Sequence, residues 1–463
     1  MITLHKTAVL NVVGLTPSLI GEHTPRIKEF LQSGWSAQLE EPFPAVTCTS
    51  QAAMLTGTLP SENGIVGNGW YFKDLAEVGF WKQSNSLIQG EKIYETLKKQ
   101  FPAFTSAKLF WWYNMYSSCD FSVTPRPHYP ADGRKVFDVY TEPASLHDPM
   151  IQDLGAFPFF SFWGPGSGIP SSDWIAKCAK WIFEKEKPDL NLVYLPHLDY
   201  CLQRVGPGAK EIPTELAAID KVVGDLLDFY RKNNVRVLIV SEYGISKVTR
   251  HLHPNRILRK AGLLEIRKSV DWELLDAGGS KAFAVSDHQI CHIYVKDKSL
   301  IPKVVALFEK EPGQRAILTG DSIKKAGLAH ERSGDVILMA EPDSWYTYYY
   351  WEDDKLAPDF ARCIDIHRKP GYDPVELFLN PKNKFIKLKM AWTLLKKTLG
   401  FRYYMDVIPL LPELVHGSHG TPASDAQEAP LVISNFNAAK PVTDTLPMTA
   451  VRDLIYNHVT QAN

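Results

Sequence analysis

The sequence is poor in features that would place it in a specialised class. It has six cysteines, Cys48, Cys119, Cys178, Cys201, Cys291 and Cys363, and no two form a CxxC pair. Their irregular spacing excludes a zinc knuckle and a disulfide framework, and reduced thiols are expected, as in a cytoplasmic protein. Charge of one sign is also lacking. Fifty-one basic residues face 52 acidic ones for a net −1, so nothing electrostatic points to nucleic acid or an acidic lipid surface as the main partner. No apolar run approaches the ~18 residues of a membrane-spanning helix. The stretch Met1–Leu10 has neither a cationic leader region nor a small-residue cleavage site, and no signal peptide is expected. There is no internal repeat and no low-complexity segment.

What is present is an ordinary globular composition, with 45% hydrophobic and 22% charged residues, enough for a full core. A length of 463 residues suggests one large domain with a smaller insert. Aromatics reach 11%, including 12 Trp, which suits both core packing and aromatic-lined pockets. Thr7–Val13 reads as a strand, followed by Gly14 and an amphipathic helix over Ser18–Leu31. The alternation continues with strand Lys108–Trp112, helix Asp173–Glu186 capped by Ser172, strand Asn191–Leu195, helix Pro213–Arg231 and strand Val235–Val240. Continuous apolar strands between helices predict a mainly parallel sheet with helices on both faces. Beyond residue 247 the pattern changes to short strands, at Ala282–Val295, Ala316–Leu318, Asp335–Ala340 and Tyr346–Trp351, with one helix at Pro302–Glu309. Strand Pro430–Ser434 and helix Met448–Thr460 close the chain.

The segment Pro42-Phe-Pro-Ala-Val-Thr47-Cys-Thr-Ser-Gln-Ala-Ala-Met-Leu-Thr-Gly57 is the most informative. A proline-rich approach ends at Thr47, a small-residue helix follows, and Gly57 stops it. A hydroxyl at a helix N-terminus meets free N–H groups and the positive end of the dipole, which favours an anion. Taken alone, the segment is more simply read as a threonine N-cap. Its continuation, Thr56-Gly57, Pro60, Gly64-Ile65 and Asn68, resembles in order the nucleophile region of the nucleotide pyrophosphatase/phosphodiesterase family of the alkaline-phosphatase superfamily. The resemblance implies Thr47 as nucleophile and Asn68 as a donor to a phosphoryl oxygen. It also implies an alkaline-phosphatase-like α/β core in residues 1–246 and 401–463, with a smaller α+β cap inserted at 247–400.

The family's metal motifs are recognisable but changed. The carboxylate that should end the first strand is replaced in Val13-Gly14-Leu15, and Asn11, on the same strand face, is neutral. The Asp-x-x-x-His motif reads Asp199 to Gln203, followed by Gly206-Pro207. Ser-Asp-His-Gly appears as Ser241-Glu242-Tyr243-Gly244, and the Gly-x-His-Gly loop survives as Gly417-Ser-His419-Gly420. The metal positions implied are therefore Asp199, Gln203, Glu242 and His419. That set is too thin for a standard dinuclear zinc centre, whose ions sit ~3.5–4 Å apart. Oxygen-rich ligation suits a single Mg²⁺ or Mn²⁺ instead. His251 with His253, Asp287-His288 with His292, and Asp365 with His367 are further ligand-capable spacings, the last with both side chains on one strand face.

Phe110-Trp-Trp-Tyr-Asn-Met-Tyr116 and the loop Thr124–Lys135 suit a pocket wall or a plain surface. Phe385, Leu388, Trp392, Leu395 and Leu399 form an apolar helical stripe in the lysine-rich stretch Lys382–Leu399, fitting either docking on its own domain or a weak membrane-surface contact. The family resemblance implies hydrolysis of a phosphodiester, pyrophosphate or phosphonate bond in a small phosphorylated metabolite, assisted by a divalent metal. A rival reading is a member that binds an anionic metabolite without catalysis. A third is a metal-independent transferase with His197 or Tyr243 as base.

Overall fold

The structure, a computed structural model, describes residues 3–131 and 134–462. Its centre is a nine-stranded sheet in the order Thr445–Pro447, Trp35–Glu40, Leu431–Ser434, Arg236–Val240, Thr7–Val12, Leu190–Leu195, Ser106–Leu109, Phe121–Pro125 and Val139–Glu142. Thr7–Val12 pairs in parallel with both Leu190–Leu195 and Arg236–Val240. Leu431–Ser434 and Val139–Glu142 run antiparallel to their neighbours, so the sheet is mixed but mainly parallel. All six side chains of Thr7–Val12 and of Leu190–Leu195 are buried, as strands covered on both faces require. Helices Ile169–Glu186, Ile212–Lys232 and Val451–Thr460 share one apolar core with these strands.

A second, four-stranded antiparallel sheet is built from Ala282–Asp287, Ile290–Val295, Val336–Ala340 and Gln314–Thr319. It has its own core around Phe283, Val285, Ile293 and Leu338.

Several sequence expectations are corrected. The helix expected over Ser18–Leu31 begins only at Pro25, after a short 3-10 turn at Pro17–Leu19; Pro25 fits the first helical turn but would break the interior of a longer helix. Ser172 is not a cap: the long helix starts at Ile169, three residues earlier. The run Ala282–Val295 is a hairpin whose turn places His288 at φ 62°. Asp365-Ile-His367 lies in a loop, with Asp365 accepting from Arg368 Nε at 2.6 Å, so the one-face strand geometry does not arise.

Candidate active site

The retained motifs meet at the C-terminal ends of the central strands. Asp199 and Gln203 follow Leu190–Leu195 on the short helix His197–Val205, and Glu242 and Tyr243 follow Arg236–Val240. His419 adjoins the two-residue strand Gly417–Ser418, which pairs with Ser246–Lys247. This is the rim where open α/β sheets bind ligands.

Thr47 is the first residue of the buried helix Thr47–Thr56, and Val46, not Thr47, is its N-cap. The capping alternative is thereby set aside, because the Thr47 hydroxyl turns away from the helix toward Tyr243. Thr47 Oγ1 lies 2.9 Å from Tyr243 Oη. Tyr243 Oη donates to Asp199 Oδ1 at 3.1 Å, and Gln203 Nε2 donates to Asp199 Oδ2 at 2.8 Å. Tyr372, from the segment after the second sheet, donates to Gln203 Oε1 at 2.8 Å. A phenol has one proton. Since Tyr243 gives it to Asp199, the Thr47 hydroxyl is the donor in the remaining bond. The row of hydrogen bonds therefore points from Thr47 to one carboxylate. Burial lifts Asp199 to about 7, against the donations from Gln203 and Tyr243 that favour its ionised form.

Glu242 lies on the other side. Its Oε1 accepts from Gln51 Nε2 at 2.7 Å and Asn11 Nδ2 at 2.5 Å, while Oε2 has no hydrogen-bond partner. Burial raises Glu242 to about 8, with the negative charge of Asp199 adding to the shift. The neutral form is thus favoured by folding. This contribution is fully present below the ordinary value of 4.5 and is lost as pH rises through about 8. Glu242→Gln keeps an acceptor for both amides. It should raise the melting temperature at pH ~8 by at least about 2 °C and change it little at pH ~5, measured by calorimetry. A gain of equal size at both pH values would contradict the assignment.

Asn68 is held rather than free. Its Oδ1 accepts from Cys48 N at 3.0 Å and its Nδ2 donates to Asp287 Oδ1 at 3.0 Å, while its own backbone N–H donates to Asp287 Oδ2 at 2.8 Å. In the sequence, Asp287-His288 belongs to one of three ligand-capable groupings. The hairpin turn brings both to the site, where His288 Nδ1 bonds Asp287 Oδ1 at 2.8 Å and the His288 ring stacks on Tyr372 at 3.5 Å. No local signal marks Asp287 or Tyr372 as neighbours of Asn68 and Gln203, from which they are separated by 219 and 169 residues.

Among the described residues no group of three or more His, Cys, Asp or Glu is arranged to hold an ion. His419 Nε2 is 3.7 Å from Asp199 Oδ1, but its ring stacks on Tyr243 at 3.6 Å and 6°, and its Nδ1 bonds Ala45 O at 2.8 Å. Tyr243 is thus wedged among Thr47, Asp199 and His419, the three groups an ion would have to bridge. Gln203 is neutral and already bonded, and Val13 is a fully buried hydrocarbon. The donors of the expected set, Asp199, Gln203, Glu242 and His419, are engaged within the protein as placed here, an arrangement that suits paired metals poorly. Of the alternative groupings, the His251 and His253 rings are 5.1 Å apart, and His292 is committed to Val66 O and Gly334 N at 3.0 Å each.

Two motif glycines hold the loops in place. A Cβ on Gly244 would lie 1.8 Å from Glu428 O, and one on Gly417 would lie 2.2 Å from Leu202 O. Gly244→Ala must therefore displace the loop that carries Tyr243. It should lower stability by ~1–3 kcal/mol in denaturant unfolding, whereas Gly208→Ala, with open space around it, should not.

The site is thus built around a threonine-led helix at the C-terminal rim of a mainly parallel sheet. The family model for type I phosphodiesterase / nucleotide pyrophosphatase matches residues 7–373, and the chain belongs to that family. A pyrophosphatase/phosphodiesterase of Schizosaccharomyces pombe, described as uncharacterized, is 30% identical over 67 residues, a match spanning only 14% of this chain and 14% of that relative. Murine ectonucleotide pyrophosphatase / phosphodiesterase 5 superposes with a TM-score of 0.58 at 12% identity, covering 99% of this chain and 96% of that one. The same murine protein is known as an inactive threonine-to-alanine variant in complex with AMP, again with a TM-score of 0.58 at 12% identity over 99% and 96% of the two chains. Phosphonoacetate hydrolase from Sinorhizobium meliloti, in complex with phosphonoacetate, gives a TM-score of 0.62 at 11% identity over 98% and 96% of the two chains.

Proposed function

We propose that this protein cleaves a phosphodiester, pyrophosphate or phosphonate bond in a small phosphorylated molecule, with Thr47 as nucleophile and Asp199 as its proton acceptor through Tyr243. The observation that carries the reading is the directed path from Thr47 Oγ1 to Tyr243 Oη at 2.9 Å and on to Asp199 Oδ1 at 3.1 Å. The Thr47 oxygen forms the new bond to phosphorus as the bond to the leaving group breaks. The Thr47 proton passes to Tyr243, whose own proton passes to Asp199, so the phenol gains one and loses one. Tyr243 is suited to this, because burial holds its pKa well above 10 and it stays protonated at each end of the step. Asp199, at about 7, is half ionised near neutrality, where a general base works best. Water then attacks the Thr47 phosphoester and the reverse transfer restores the hydroxyl. The first turn of the Thr47 helix supplies positive potential at the phosphoryl oxygens. The inactivity of the threonine-to-alanine variant of the murine relative supports this choice of nucleophile.

A second reading, a protein that binds such an anion without turnover, is favoured by the closure of the site. Thr47 is 4% exposed and Asp199 7%, and Tyr372 and Trp112 both pack against Trp81 beside them. Tyr243→Phe separates the two readings. It keeps the ring stacked on His419 and removes only the hydroxyl. If the path transfers the proton, turnover of a p-nitrophenyl phosphodiester should fall ~100-fold or more while AMP binding, read by calorimetry, is retained. An unchanged rate would rule the path out, and AMP binding with no turnover in either protein would establish the binding reading.

A further inference from the structure

The lysine-rich helix is not docked through the apolar stripe that its sequence displays. The helix Ile386–Thr398 packs inward by Ile386 and Met390, against a cluster that includes Trp345, Val375 and Ile408. Thr393 is buried on the same side. The stripe points outward: Phe385 is 73% exposed, Leu388 67%, Trp392 58%, Leu395 46% and Leu399 64%. These five recur at alternating intervals of three and four residues, which lines them along one helix face. Phe401 continues the exposed apolar surface past the helix end. An ordinary surface helix shows the reverse arrangement, apolar inward and polar outward, so this face is built to be covered.

The charges around it identify the cover. From Pro381 to Met405 there is no Asp or Glu, while Lys382, Lys384, Lys387, Lys396, Lys397 and Arg402 flank the stripe. The segment's one further cation, Lys389, is paired with Asp406 at 2.6 Å. A chain of net charge −1 has therefore concentrated cations around a long exposed apolar helical stripe. Trp392, Lys396, Arg402 and Tyr403 also line a cavity of about 470 Å³ beside the helix, whose one acid, Asp406, is paired with Lys389, leaving Lys396 and Arg402 to meet an anionic headgroup. A second copy of the chain fits poorly, because pairing stripe to stripe would set lysines against lysines at the rim.

We propose that this face lies on an anionic lipid surface, with the stripe inserted at the headgroup–acyl boundary and the lysines on the phosphates. Trp392 is the residue type favoured at that boundary, and long lysine stems let the charge reach the headgroups while the helix settles. The contact is peripheral: no helix among the described residues is long and apolar enough to cross a membrane.

The test is co-sedimentation of the full chain with vesicles of equimolar phosphatidylglycerol and phosphatidylcholine, beside vesicles of phosphatidylcholine alone. Partitioning onto the anionic vesicles should be at least ~10-fold stronger and should weaken as salt rises. The double variant Leu388→Ser/Trp392→Ser, altered only at exposed positions, should keep the wild-type melting temperature and lose at least ~10-fold of that partitioning. Equal partitioning onto the two vesicle types, or none onto either, overturns the proposal. So does a lipid-free dimer in light scattering that the double variant abolishes, since the stripe would then be covered by a second copy.

Discussion

Thr47→Ala is expected to lower turnover of a phosphodiester or phosphonate substrate by at least ~1000-fold, as removal of a nucleophile does when no neighbouring group replaces it. Its effect on stability should be slight. The Thr47 side chain makes no capping bond and its hydroxyl contacts Tyr243, which keeps its bond to Asp199 when Thr47 is shortened. The loss is one buried hydrogen bond, about 1 kcal/mol. Thr47→Ser should keep a measurable part of the rate, because it restores the oxygen and loses only a methyl group. Rate and melting temperature in the same preparation make the comparison. Full turnover in the alanine variant would remove Thr47 from the chemistry, and a large loss of stability would make the rate uninterpretable as a nucleophile effect.

Metal removal should have the second large effect, by leaving intact what would be destroyed in a dinuclear enzyme. Protein purified without chelator is expected to hold fewer than two tightly bound metal ions per chain. EDTA treatment should leave both its rate and its melting temperature close to the starting values. The expectation rests on the donors: Tyr243 stands between Thr47, Asp199 and His419, and Glu242 Oε1 is taken by Gln51 and Asn11. Two stoichiometric metals, with a rate that collapses on chelation and returns with the ion, would show that these side chains rearrange into a ligand set.

The fold and the helix led by Thr47 were legible in the sequence because their signals are local. Unbroken apolar strands announce a sheet covered on both faces, and Thr47 with the glycines and prolines up to Asn68 forms one contiguous motif. The arrangement of the changed motif positions was only half legible. The replacements Val13, Gln203 and Tyr243 could be read as losses, but not that Tyr243 would join Thr47 to Asp199. That contact spans 196 residues and depends on how two loops meet above the sheet. Asp287-His288 could be read as ligand-capable, but its place beside Asn68, and that of Tyr372 beside Gln203, could not, for the same reason. The hairpin that carries Asp287 and His288 contains none of the usual turn dipeptides, so the run Ala282–Val295 reads as one strand. The stripe on Ile386–Thr398 was legible as amphipathic, yet which face it would bury was not, because Ile386 and Met390 offer a second apolar face.

The central claim is a covalent intermediate on Thr47 formed without a metal pair. The most direct measurement is rapid acid quench of EDTA-treated protein during turnover of a slow phosphodiester substrate, followed by peptide mass spectrometry. The expected result is a phosphoryl adduct on the peptide that contains Thr47, formed at the rate of the first chemical step and absent from Thr47→Ala. Turnover with no adduct, or an adduct on another residue, would contradict it.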